Sequence, residues 1–164
     1  MKKLMVFAAV AVFGLSNVNA QNFNVGISAG LPIGNAGDFS SFSAILDANY
    51  LWNVSEQFDA GIASGFSNSF GKNIKIDGET FDYGDFSFVP IAGAARYNVS
   101  DKFTLGADLG YAIGVNNGND GGFYYAPKVQ YGVSENLDLV LAYRGVSSNG
   151  GSFDILSFGI EFGL

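Results

Sequence analysis

The sequence predicts an all-β protein, an eight-stranded antiparallel up-and-down transmembrane β-barrel. Three observations predict it. Apolar and small or polar residues alternate strictly over eight segments of roughly 9 to 13 residues, the period of a strand. Those segments are longer than the 5 or 6 residues of an ordinary strand and match a tilted membrane-crossing strand of about 9 to 11. A five-residue phrase also recurs three times between segments: Asn53-Val54-Ser55-Glu56-Gln57, Asn98-Val99-Ser100-Asp101-Lys102 and Gly132-Val133-Ser134-Glu135-Asn136. Its spacings of 45 and 34 residues are too unequal for a solenoid.

The strands follow in order. The first sets Phe23, Val25, Ile27, Ala29 and Leu31 against Asn24, Gly26, Ser28 and Gly30. The second sets Leu46, Ala48, Tyr50 and Trp52 against Asp47, Asn49 and Leu51, and the third sets Phe58, Ala60, Ile62 and Phe66 against Asp59, Gly61, Ala63 and Gly65. In the fourth, Val89, Ile91, Ala95 and Tyr97 alternate with Ala92, Ala94, Arg96 and Asn98. The fifth, from Phe103 to Val115, is the clearest. Seven apolar residues share one parity, and Thr104, Gly106, Asp108, Gly110, Ala112 and Gly114 share the other. A helix would repeat apolar residues at i, i+3 and i+4, and would not tolerate three interior glycines well. The sixth sets Val129, Tyr131 and Val133 against Lys128, Gln130 and Gly132. The seventh sets Leu137, Leu139, Leu141 and Tyr143 against Asp138, Val140, Ala142 and Arg144. The last sets Phe158, Ile160, Phe162 and Leu164 against Ser157, Gly159, Glu161 and Gly163.

Each copy of the repeated phrase suits a tight hairpin turn. The other four connections, near Pro32–Ser41, Asn68–Gly84, Asn116–Gly122 and Ser147–Ser152, are longer on average and rich in Gly, Asn, Asp and Ser. Short and long connections alternate, so the three turns gather at one end of an up-and-down sheet and the four loops at the other. The phrase recurs because three turns meet the same demand at the same rim.

Closure into a barrel removes exposed strand edges. Sidedness follows from size, because an eight-stranded interior is just wide enough for side chains. One parity carries the rings and branched chains. The other carries Gly, Ala, Ser and Asn with eight charges: Asp47, Asp59, Arg96, Asp108, Lys128, Asp138, Arg144 and Glu161. Small residues with paired charges suit a narrow lumen, so the apolar parity is expected to face lipid. The eight charges are expected to form a structural salt-bridge and hydrogen-bond network; the competing use is a gated pore or proton path. Tyr50, Trp52, Phe58, Tyr97, Phe103 and Tyr131 cluster near the turns as one interfacial belt. Phe66, Tyr111, Phe123, Tyr124 and Tyr143 are expected to form the opposite belt.

Residues 1–20 read as a cleaved export signal: Lys2 and Lys3, an apolar stretch from Leu4 to Leu15, and Val18-Asn19-Ala20 at the cleavage site. The barrel domain is then residues 21–164. Losing two lysines takes the net charge from −7 to −9, which disfavours nucleic acid as a partner. The 164 residues include no His and no Cys. Ser-His-Asp, Cys-His and His-ligated zinc chemistry is thereby excluded. No catalytic residue, metal ligand or cofactor site is expected. Asp120 in the Asn116–Gly122 loop is one carboxylate, too few for calcium. The Asn68–Gly84 connection, with Asp77-Gly78 as a turn dipeptide, suits a strand pair rising above the barrel.

The export signal, the eight alternating strands, the short turns and the final Phe158-Gly-Ile160-Glu-Phe162-Gly-Leu164 resemble the small eight-stranded outer-membrane barrels of the OmpX/OmpA-barrel type. Members of that group often end in an aromatic residue read by the barrel-assembly machinery. This chain ends in Leu164, with Phe162 two residues earlier. The resemblance implies a bacterial outer-membrane location. It implies outer-membrane lipids as surroundings, with periplasmic chaperones and the barrel-assembly machinery as partners in biogenesis. The expected function is non-enzymatic: membrane structure, surface interaction, or at most limited passage of small solutes. The alternatives are a soluble secreted lipocalin-like ligand-binding barrel and an outer-membrane lipid-modifying enzyme, the latter disfavoured by the missing histidine.

Overall fold

Among the described residues, ten strands and one short helix are built from these patterns. They are β1 (Phe23–Ile33), α1 (Asn35–Phe39), β2 (Ser40–Ser55), β3 (Phe58–Gly71), β4 (Asn73–Ile76), β5 (Glu79–Asp82), β6 (Phe86–Asn98), β7 (Phe103–Gly114), β8 (Gly122–Ser134), β9 (Leu137–Ser148) and β10 (Gly151–Gly163). The structure, a computed structural model, describes residues 23–76, 79–148 and 150–164. The expected export signal and the Asp77-Gly78 turn lie outside the described residues.

Eight strands close into an antiparallel barrel in the order β1-β10-β9-β8-β7-β6-β3-β2, and β4 pairs with β5 as a separate hairpin. The β1–β10 seam is as regular as the rest, running from Asn24 opposite Gly163 to Ile33 opposite Asp154. Partners followed once round the barrel run Ile33, Asp154, Gly145, Tyr125, Leu109, Gly93, Ile62, Tyr50 and Phe23. The circuit returns to β1 ten residues from where it began. A stagger of that size across eight strands tilts them by roughly 40° to the axis.

The three repeated phrases form the short turns at one end. Ser100 shows how one works: its hydroxyl accepts from the Phe103 amide at 3.1 Å, while Val99 donates to the Phe103 carbonyl at 2.8 Å. The loop end departs from a set of four open loops. β1 runs on to Ile33, and the chain turns through α1 straight into β2. The Asn68–Gly84 connection is mostly strand, with Asn73 opposite Asp82 in the β4–β5 hairpin. β9 and β10 extend until only residues 149 and 150 join them, because Ser147 and Ser148 still pair with Ser152 and Gly151. Polar composition reads as loop, yet above the apolar zone those residues continue the strand ladder.

Sidedness is plain from exposure. Ile27, Leu31, Ile62, Ile91, Leu105, Leu109 and Phe158 are each at least half exposed, whereas Arg96, Asp108, Lys128 and Arg144 are each 5 % exposed or less. The interior is thus polar in part, and the aliphatic belt is on the outside, the reverse of a water-soluble fold.

Candidate functional site

The lumen has two unlike halves. Toward the turns it is polar. Asp108 on β7 accepts from Arg96 Nη1 at 2.6 Å and from Lys128 Nζ at 2.5 Å, so one carboxylate serves two cations. Both bases reach it over Gly106, which lies opposite Arg96 and Lys128 in the two ladders. A methyl group there would stand 2.7 Å from Arg96 Cδ and 3.0 Å from Lys128 Cγ, closer than carbon atoms pack. The Nε and Nη2 of Arg96 have no partner among the described residues. Asp47 on β2 is held across the lumen by Arg144 on β9 through two parallel bonds of 2.8 Å each. Arg144 also donates to Ser157 Oγ at 2.9 Å and to the Tyr124 hydroxyl at 3.3 Å. Glu161 accepts from Asn49 at 2.9 Å and Gln130 at 2.8 Å, neutral donors in place of a base.

Asp59 and Asp138 stand at the turn-end mouth and are only partly buried. Asp59 is clasped by amides of the repeated phrase: Asn53 donates to one oxygen at 3.0 Å and Asn98 to the other at 3.1 Å. That is a second reason for the asparagine in two copies of the phrase. In the third copy Gly132 takes its place, paired with Asp138. Of the eight charged residues singled out from the sequence, five therefore meet in two ion-pair groups, and Asp59, Asp138 and Glu161 do not join them. Among the described residues, no group of three or more potential ligands is arranged to hold a metal ion.

Toward the loops the lumen is mainly apolar, with the buried Ser43 and Ser69 hydroxyls bonded to each other at 2.6 Å on one wall. Phe88, Ala92, Ala112, Tyr124, Ala126 and Val146 form one buried cluster, with Phe86 and Phe153 packed against it. The Phe86 and Phe88 rings lie 5.3 and 5.5 Å from Phe153, a favourable tilted geometry. Ile45 and Ile155 are also buried. Between the two halves lies a cavity of about 20 Å³ touching Asp47, Tyr124 and Arg144, room for about one water. The sequence reasoning missed this plug. Its signal was available, since Phe88 shares the parity of Arg96, Ile45 that of Asp47 and Ile155 that of Glu161.

Tyr124 corrects an expectation. It does not join the outer belt; it is 6 % exposed and meets Arg144 inside. The ring at that height on the outside is Tyr125, which stacks between Phe123 and Tyr143. It lies flat across Gly145 and donates to Asp154 at 3.0 Å. Tyr50, Trp52, Phe58, Tyr97, Phe103 and Tyr131 sit on the outer face near the turns. Allowing for the stagger between strands, they fall within about three residues of one height. Tyr50 and Trp52 meet edge to face at 5.0 Å, as do Phe103 and Tyr131 at 5.2 Å.

An outward apolar zone over a packed polar lumen is the arrangement of known membrane barrels, and solved structures match it. The outer-membrane protein Ail of Yersinia pestis, in a phospholipid nanodisc, superposes with a TM-score of 0.60 at 11 % identity, over 87 % of this chain and 98 % of that one. The fold is that of the small eight-stranded outer-membrane barrels. Neisserial surface protein A gives 0.53 at 21 % identity, over 87 % of this chain and 97 % of that one. A designed transmembrane β-barrel gives 0.55 at 16 %, over 87 % and 94 %. By sequence the chain matches no protein-family model and no curated protein.

Proposed function

We propose that this chain is an integral outer-membrane barrel with no enzymatic activity and a closed lumen, acting in membrane structure or through its loop-end surface. The carrying observation is the two-part filling of the lumen. Ion pairs cross its turn-end half, and an apolar layer including Phe88, Val146, Ile45 and Ile155 closes it nearer the loops. A pathway for solutes would need to breach both, which supports the closed lumen over limited solute passage. The exposed aliphatic residues support lipid as the surrounding medium, since a soluble barrel would leave that surface in water at a cost of about 25 cal/mol per Å². This argues against the lipocalin-like alternative. The reading carries its partners with it: outer-membrane lipids in the folded state, chaperones and the assembly machinery before it.

The test has two arms. The purified chain should require detergent, and should migrate differently on gels when heated and unheated, as a closed barrel does. In planar bilayers it should show no steady conductance. A detergent-free soluble monomer, or a stable ion-selective channel, overturns the proposal. Cleavage of whole cells by protease confined to the loop end would support the orientation.

A further inference from the structure

We propose that the loop end carries a binding site for neutral saccharides. The proposal deepens the surface role above and rests on it only for biological meaning. Above the apolar plug the barrel opens into a basin of about 750 Å³, within the range of small-molecule sites. It is bounded by α1, the β7–β8 loop and the adjoining ends of β9 and β10.

The chemistry of its walls selects the ligand class. Phe86 and Phe153 form the floor, packed on the buried cluster below and only partly buried themselves. Each therefore keeps part of its ring toward the basin. Phe39, 37 % exposed, stands at one side. Around them are Asn35 and Ser148, which both donate to and accept from hydroxyls, and Asp120, whose carboxylate accepts from them. Among the described residues lining the basin, Asp120 is the only charged one. A polyanion would find no cation there and one carboxylate opposing it. A hydrocarbon would strip water from the amide and carboxylate rim without replacing its hydrogen bonds. A pyranose satisfies both zones. Its C–H face is weakly positive and lies on the negative face of a phenyl ring. Its hydroxyl edge meets the rim, where leaving a group unpaired would be costly.

The test uses full-length barrel folded in a detergent without a sugar headgroup. Maltotriose, cellotriose and triacetylchitotriose serve as probes, with dextran sulfate as the polyanion. Saturation-transfer difference NMR should show transfer from aromatic protons to the C–H protons of at least one trisaccharide, and none to dextran sulfate. Phe153→Leu preserves much of the floor volume but removes the ring, and should weaken binding roughly fivefold. Asp120→Asn, on an exposed loop, should weaken binding of that sugar with the gel shift retained, because a neutral amide oxygen accepts less strongly than a carboxylate. The heat-dependent gel shift reports barrel closure separately, so a failure of the membrane reading is distinguished from a failure of this one. No transfer to any trisaccharide from a closed barrel overturns the site. So does transfer undiminished in Phe153→Leu with the shift retained, and so does preferential binding of dextran sulfate.

Discussion

Arg144 and Arg96 look equivalent in the sequence, each a lone base on a lumen-facing parity, yet the structure ranks them. Arg144 is the only base paired with Asp47 among the described residues, and both oxygens of that carboxylate depend on it. Asp47 is 15 % exposed and Arg144 5 % by side chain, so removal strands a largely buried charge. Breaking such a pair from one side costs about 3–5 kcal/mol. The adjoining one-water cavity softens this, while the lost bonds to Ser157 and Tyr124 add to it at about 1 kcal/mol each. Arg144→Leu should therefore lower the unfolding free energy by about 4 kcal/mol. Arg96→Leu should cost only about 1–2 kcal/mol, because Asp108 keeps Lys128 and because two of the three guanidinium nitrogens of Arg96 lack partners already. Asp47→Leu combined with Arg144→Leu removes both charges, and should recover about 2 kcal/mol of the single-variant loss. The assay is urea unfolding in phospholipid vesicles followed by the emission of Trp52, the one tryptophan of the chain. Equal losses for the two arginine variants, or a double variant as unstable as the sum of its parts, would refute the reasoning.

Other outcomes follow from the same geometry. Gly106→Val should prevent closure of the barrel, seen as loss of the heat-dependent gel shift, because its side chain would enter the space of the Arg96 and Lys128 stems. Leu109→Arg, on the outer face, should cost about 2–4 kcal/mol in vesicle unfolding, while Val133→Arg near a turn should cost no more than about 1 kcal/mol. Phe88→Ala should cost about 3–5 kcal/mol by opening the plug, yet leave the bilayer non-conducting because the ion pairs below still close the lumen. Gly145→Ala should displace the Tyr125 ring and break its bond to Asp154, read as a changed tyrosine environment in near-ultraviolet circular dichroism with the barrel intact.

Strand parity made most of the fold legible. Two-residue alternation separates the exposed Leu105 and Leu109 from the buried Asp108, and does so in every strand of the barrel. The Tyr124–Tyr125 doublet misled because adjacent rings must face opposite ways, and only their count from Lys128 tells which is inside. The apolar plug was overlooked because its large residues share parity with charges at the other end of the same strands. The cross-lumen bond from Arg144 to Asp47 was beyond reach for a different reason. β9 and β2 are three places apart round the barrel, and which residues share a height depends on the ten-residue stagger, a property of closure that no single strand encodes.

The regular β1–β10 seam has a consequence for how the molecule comes apart. A hoop has no end stave to peel away. Detaching any one strand opens two ladders at once and bares their amides and carbonyls to hydrocarbon, at several kcal/mol for each group left without a partner. Fraying from the termini, the ordinary first step in an open sheet, is thereby suppressed. Backbone amides of Ile27 and Ile160 at the seam should exchange with deuterium as slowly as those of Ile91 and Leu109 on the far wall, all of them released together when the ring breaks.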